Sequence, residues 1–485
     1  MCDAVQRLVE FRETLYKTFS YRADATMDLI DAMAGNSSAA SPVELSLSSL
    51  FPRQYSSLHD AVDNFFIPSN AVKVQEDRQE HQRIRMRIVA EQLPVPTGRN
   101  FYLFGLDTTG QPRPFAKTVA DRGIHYHPNP APGNKPIIAG HSYSVLAALP
   151  EKTQRNSPPW ILPLLIQRVP TDKKAIDIGA GQVADVLKDE KLPFGRELCA
   201  LVGDSSYGVC KFVGRTVEHK NLITIVRVRG NRTFYRIAAQ GDVSNGKGHP
   251  TWYGTSFDMK NSTTWGEADA IETVSFTLRN GRVCQVQIKA WYNLLMRGKR
   301  GIPMYTHPFT LIRITVEDSD GKLVFNRPLW LIVIGDRRRE VSLSDAYQAY
   351  RQRYDLEHFF RFGKQKLLMS SYQTPDVEHE QNWWEIVGLA YAQLYVSAPL
   401  AQNLPRPWER YLPEFKKPKP EKLSSPSMVQ RDLPRIIREI GTPALLPKPR
   451  GKSSGRIKGY SPGKRERLPL IIKGTNSARN YPRAP

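Results

Sequence analysis

Residues 342–368 read SLSDAYQAYRQRYDLEHFFRFGKQKLL, with no Gly or Pro before Gly363. Ser342 followed by Asp345 resembles a capping box, a helix start signal. One long helix is therefore expected across the stretch. Tyr350, Arg353, Glu357 and Lys364 stand out on it, at offsets of 3, 7 and 14 from the tyrosine. At about 100° per residue these fall at roughly −60°, −20° and −40°, so the four share one narrow stripe. The plain reading is a solvated ion-pair face, because Arg353 and Glu357 form an i,i+4 pair.

The spacing Y-x2-R-x3-E-x6-K also resembles the signature of DDE transposases of bacterial cut-and-paste insertion sequences, in the group named for Y, R, E and K. All four residues and all three spacings match. The resemblance implies that Glu357 is the third carboxylate of a two-metal site. It implies that Tyr350, Arg353 and Lys364 hold transposon-end DNA beside that site. It also asks for two aspartates upstream, each ending a hydrophobic strand.

The chain supplies them. FYLFGLD ends in Asp107, and TTGQP then turns the chain. PIIAGHSYSVLAAL and WILPLLIQRV read as further strands, and AIDIGAGQVADVLKDEKL as a helix. ELCALVGD ends in Asp204, and LITIVRVRG follows as another strand. Strand-end aspartates are common because they start turns. The signature, not their position, singles these two out. Three strands, a helix and a strand ending in Asp give the order of a ribonuclease H-like α/β fold, a mixed sheet with flanking helices. Asp204 and Glu357 are 153 residues apart, against 97 between Asp107 and Asp204, so a β-rich insertion is expected in the longer gap. Asn280-Gly281 between alternating runs marks a hairpin there.

The expected divisions are a helical N-terminal region (1–95) suited to DNA-end binding or to a plain bundle, a first core segment (96–230), the insertion (231–327), a second core segment with the signature helix (328–403), and a basic Pro-rich tail (404–485). The tail cannot bury an apolar face and reads as largely disordered, with RDLPRIIREI a short helix. Trp330 precedes Glu357 by 27 residues. In related transposases a Trp at a similar place stacks on a base flipped out of the DNA end; the other reading is a core tryptophan. The residues after Asp204 depart from the family pattern. Ser205-Ser206-Tyr207-Gly208 stands where an Arg, or a small residue and then Gly-Tyr, is expected. His125-x-His127 reads as an exposed loop in preference to a metal site.

The chain has 485 residues and a net charge of +22, of which 404–485 contribute +14 through 20 Lys and Arg against 6 Asp and Glu. Such a surplus fits a polyanionic partner, with nucleic acid first. The four cysteines show no C-x-x-C pairing, so neither a disulfide framework nor a zinc ribbon is suggested. No apolar run approaches the roughly 18 residues of a membrane helix. The opening residues lack a signal-peptide pattern, which places the expected protein in the bacterial cytoplasm.

Phosphodiester cleavage needs an activated water and a way to hold charge on the leaving oxygen, which two Mg²⁺ ions about 3.5–4 Å apart supply. Such ions want oxygen ligands, so Asp107, Asp204 and Glu357 make sense as a set, with Mn²⁺ as a substitute. The resemblance implies double-stranded DNA partners, both transposon ends and target, and a homodimer on paired ends. It implies nicking, a hairpin intermediate and joining to target. A nuclease of the same fold that does not transpose, and an inactive DNA-binding relic, are the alternatives.

Overall fold

Short apolar runs separated by turn residues build a mixed sheet, and helical repeats on either side of it in sequence supply its cover. The computed structural model describes residues 2–70, 72–126, 137–154, 157–238, 252–277, 283–403, 408, 411–413, 424–449, 458–461 and 463–472. The turn at Asn280-Gly281 and His127 lie outside the described residues, as does much of the tail.

The chain opens with α1 (Cys2–Tyr16), α2 (Ala23–Ala34), α3 (Pro42–Leu45), α4 (Tyr55–Asp63) and α5 (Val74–Ala90). Leu8, Phe11 and Leu15, at helical spacing, bury one face of α1. The first sheet segment follows as β1 (Tyr102–Pro112), β2 (Gly123–Tyr126), β3 (Ile137–Ala148), β4 (Leu162–Arg168), α6 (Ala175–Leu187), β5 (Cys199–Gly203), α7 (Cys210–Thr216) and β6 (Leu222–Arg227). Next come β7 (Thr233–Ile237), β8 (Tyr253–Asp258), β9 (Ala270–Thr277), β10 (Val283–Leu294), β11 (Phe309–Asp318) and β12 (Leu329–Ile334). The chain then turns helical again, with α8 (Leu343–Gln352), α9 (Tyr354–Lys366), α10 (Val377–Asn403) and α11 (Pro426–Ile440).

Among the described residues the main sheet runs β2-β3-β1-β5-β6-β12-β11-β10-β9, with β4 also paired to β3. β1 is antiparallel to β3 and parallel to β5, and β5 is parallel to β6. This is a ribonuclease H-like mixed α/β sheet, as expected from the strand order. Helices cover both faces. A Cβ on Gly105 would stand 2.6 Å from Leu356 of α9, and one on Gly179 of α6 would stand 2.7 Å from Leu106. Gly105 and Leu106 are consecutive and face opposite ways, so α9 and α6 pack on opposite faces of β1. Close approach of α9 at Gly105 is what brings the next helical residue, Glu357, toward the strand.

Four expectations change. β1 does not end at Asp107. Thr108–Pro112 continue it by pairing with Ser144–Gly140 of β3. The β-branched threonines favour extension, and Pro112 falls at the last strand position, where its missing N–H does least harm. The signature helix is two helices, α8 and α9, that meet at Arg353. The bonds across the joint, Arg353 N–H to Tyr350 O and Leu356 N–H to Arg353 O, are i to i−3 contacts that tighten the turn. The Ser342 cap forms, with its hydroxyl accepting from the Asp345 N–H at 3.0 Å.

Residues 231–327 do not stand apart from the sheet. β11 pairs with β12, which pairs antiparallel with β6, so β9–β11 extend the core sheet edge while β7 and β8 form a separate pair. The tail is not structureless where it is described. α11 buries Val429, Leu433, Ile436 and Ile437 against α10 and α2. The short helix expected at RDLPRIIREI is present and longer, and its apolar residues at helical spacing dock on the core. Farther on, Leu468 and Ile471 donate backbone bonds to Lys117 O and Arg122 O along the loop before β2.

Candidate active site

The parallel register of β1 on β5 ends with Leu106 opposite Gly203. Asp107 follows Leu106 in the middle of β1, and Asp204 follows Gly203 just past the C-terminal end of β5, so the two stand side by side. This is where α/β sheets place ligands. Asp107 accepts from the Thr108 N–H at 2.8 Å. Asp204 accepts from the Ser206 N–H at 2.9 Å and the Ser206 hydroxyl at 2.5 Å. The residues that depart from the family pattern thus fasten the second aspartate.

Glu357 reaches the pair through Arg353. One guanidinium nitrogen donates to Asp107 at 2.9 Å, and another to Glu357 at 2.8 Å. Burial works against the charge on Arg353, but Asp107, Tyr350 and Glu357 outweigh it and hold its pKa above the ordinary value. Burial pushes Asp107 up to about 6, helped by the charges of Asp204 and Glu357 and opposed by Arg353 and the Thr108 N–H. A buried carboxyl crowded by two others is the electrostatic setting of a cation site.

Lys364 reaches β1 two and three residues beyond Asp107, donating to the Thr109 hydroxyl at 2.7 Å and to Gly110 O at 3.0 Å. Burial pushes it down to about 8. Tyr350 is half-buried beside the Arg353 guanidinium, 5.9 Å from its ring centroid, and burial raises its pKa. The structure thus brings Asp107, Asp204, Glu357, Arg353, Tyr350 and Lys364 together around the middle of β1 and the end of β5.

Trp330 is elsewhere in character. It is 4 % exposed and packs against Trp265, Trp291 and Phe257 at ring-centroid distances of 5.2, 5.8 and 6.5 Å. Of its two readings, this position is the core one, and its ring presents no open face to a base.

Sequence reasoning passed over two groups. Tyr207 lies buried under the aspartates, its pKa driven well above normal by burial and then by Asp107 and Asp204. Arg227, Arg229 and Arg232 stand at the end of β6, the strand parallel to β5 on its far side. Their signal was present: RVRGNR follows a strand whose C-terminal end must lie beside that of β5.

A hard divalent cation suits this donor set, because three carboxylates supply oxygen ligands and Asp107 is costly to ionise without a second positive charge. Among the described residues, no three His, Cys, Asp or Glu side chains stand together as a ready cage. Arg353 sits between two of the three carboxylates, so a metal there requires the guanidinium to give way.

No helix among the described residues is long and apolar enough to cross a membrane. Comparison with curated proteins returns no match. The family model for the DDE superfamily endonuclease matches residues 14–297, which is more than half of the chain and includes Asp107 and Asp204. On that match, the chain belongs to the DDE superfamily endonuclease family.

Proposed function

We propose that the protein is a DNA transposase that cleaves at the ends of an insertion sequence and joins them to target DNA. The observation that carries this reading is the strand register that sets Asp107 beside Asp204, with Glu357 linked to Asp107 through Arg353. Asp107, Asp204 and Glu357 would hold two Mg²⁺ ions, with Mn²⁺ able to substitute. Bound there, the ions supply an activated water or 3′-hydroxyl and steady the leaving oxygen.

The chain's own residues do the rest. Asp107 within β1 and Asp204 just after β5, held by the Thr108 and Ser206 N–H groups, offer oxygens of set direction. Arg353 neutralises Asp107 and Glu357 in the free protein. If the carboxylates held cations, the Arg353 guanidinium would be free to pair with a DNA phosphate, which it suits by geometry and charge. Lys364 and Tyr350 flank the same spot, one a donor to phosphate and the other an aromatic edge. The basic surplus supplies affinity without sequence preference.

Paired ends imply a homodimer, and the family's hairpin route remains part of the proposal. With Trp330 packed in the core, that route rests on the signature spacing. The matched family region ends before Glu357 and speaks for endonuclease chemistry, which keeps a nuclease that does not transpose as the second reading.

The test is a reaction with duplex DNA carrying the element's terminal sequence, run with Mg²⁺ or chelator and probed for nicks, hairpin ends and joined products. Joined products support transposase. Cleavage alone leaves the nuclease, and no cleavage with either metal refutes both.

A further inference from the structure

The turn after Asp204 forms one wall of an open cleft of about 340 Å³, lined by Ser205, Ser206, Val209, Arg229, Asn231 and Arg232. That is roughly ten times the 30 Å³ share of one water molecule, enough for a backbone phosphate and its sugar. No carboxylate lines it. Two guanidinium groups and the Ser205 hydroxyl can donate to phosphate oxygens there, while the Ser206 hydroxyl is taken up by Asp204.

The walls are fixed in place. A Cβ on Gly208 would stand 2.5 Å from Arg227 O, so the turn lies directly on the end of β6. Arg232 donates to Gly208 O at 3.2 Å, which ties the second wall to the first. Ser206 is held by Asp204, the carboxylate at the cleft's mouth. Arg227 is exposed one residue beyond the Gly203–Val226 pair, in line with Asp204 and Asp107 across the sheet.

We propose that this cleft is a subsite for the DNA strand being cut, taking the phosphate next to the scissile one between Arg229 and the Ser205 hydroxyl. The inference rests on the DNA-cleaving reading above and adds the path of the strand. Successive phosphates of one strand are joined through a single sugar. A phosphate at Asp204 therefore sets its neighbour over the cleft, and an extended anion fits this row of donors better than an isolated one. The Ser-Ser sequence after Asp204 then has two tasks: Ser206 fastens the carboxylate, and Ser205 faces the strand.

The test is binding of a labelled DNA duplex in chelator, by fluorescence anisotropy across a salt series. The proteins are wild type, Arg229→Gln, Ser205→Ala and a control, Arg196→Gln. Arg196 is 86 % exposed and precedes β5, at the opposite end of that strand from Asp204. Losing one phosphate contact should flatten the log–log salt slope of Arg229→Gln by about 0.9 and weaken binding roughly three- to tenfold at low salt. Ser205→Ala should weaken binding without altering the slope, and Arg196→Gln should match wild type.

Identical slopes for Arg229→Gln and Arg196→Gln overturn the subsite while leaving the DNA-cleaving reading intact. A wild type with no salt-dependent DNA binding overturns both. In a parallel arm, inorganic phosphate replaces chloride at equal ionic strength. Millimolar phosphate binding by wild type, with DNA affinity and slope unchanged in Arg229→Gln, would make the cleft a free-phosphate site and also overturn the proposal.

Discussion

Asp107→Asn should stabilise the protein at neutral pH. The carboxyl is buried, and its pKa is raised from 3.8 to about 6. The folded protein therefore binds this proton more tightly than the unfolded chain, and stability is lost as pH rises from about 4 to about 6. A gap of about two units, at 1.36 kcal/mol per unit, is about 3 kcal/mol. Asparagine is nearly isosteric with the protonated acid and carries no charge. Wild type and variant should therefore unfold alike below pH 4. They should separate through the window until the variant is more stable by about 3 kcal/mol at pH 7.

Urea denaturation midpoints at half-unit pH steps, in chelator, measure this directly. Adding Mg²⁺ should narrow the gap at pH 7, because a bound cation favours the carboxylate in wild type. A difference that does not vary with pH, or a variant less stable at pH 7, would refute the argument that burial strains Asp107 until a cation arrives.

Other outcomes follow from single contacts. Lys364, held down to about 8 by burial, should take up a proton when a phosphate approaches, so DNA affinity should fall as pH rises through 8 to 9; Lys364→Met should remove that dependence in the same anisotropy assay. Trp330→Ala should cost about 3–5 kcal/mol by emptying an aromatic core site, and thermal unfolding will read it; a fully stable variant would contradict the packing and return Trp330 to a surface role. Deletion of 424–485 removes α11 and should destabilise the fold by exposing its partners on α10 and α2. Deletion of 450–485 removes the Leu468 and Ile471 backbone bonds to the loop before β2, so it should cost less stability than loss of α11, and it should flatten the salt slope of DNA binding. Equal stability of the two truncations would contradict the packing of α11.

The sheet was legible because its strands are buried on both faces. LFGL, ALVG and ITIV are unbroken apolar runs bounded by turn residues, and their order is enough to place Asp107 beside Asp204. The stripe of Tyr350, Arg353, Glu357 and Lys364 was legible through helical period, while its role as a signature belongs to the proposal. The joint at Arg353 was not. No Gly or Pro marks it, and the guanidinium at the joint bonds Asp107, a partner 246 residues away that the local sequence does not reveal. The arginines at the end of β6 were missed because nothing in one strand announces which neighbour it will lie beside. The helical part of α11 was legible in RDLPRIIREI, but its docking was not, because Pro434 and three arginines gave the segment the composition of a solvated tail.

The central claim is that Asp107, Asp204 and Glu357 act as one unit on DNA. It is tested most directly by strand cleavage and end joining in wild type, Asp107→Asn, Asp204→Asn and Glu357→Gln, with DNA binding measured on the same preparations. The account predicts that wild type cuts with Mg²⁺ or Mn²⁺ and not with chelator. Each variant should lose cutting and joining to a similar extent, because groups that act together are not additive, while still binding DNA. A variant that binds and still cuts at the wild-type rate would contradict it.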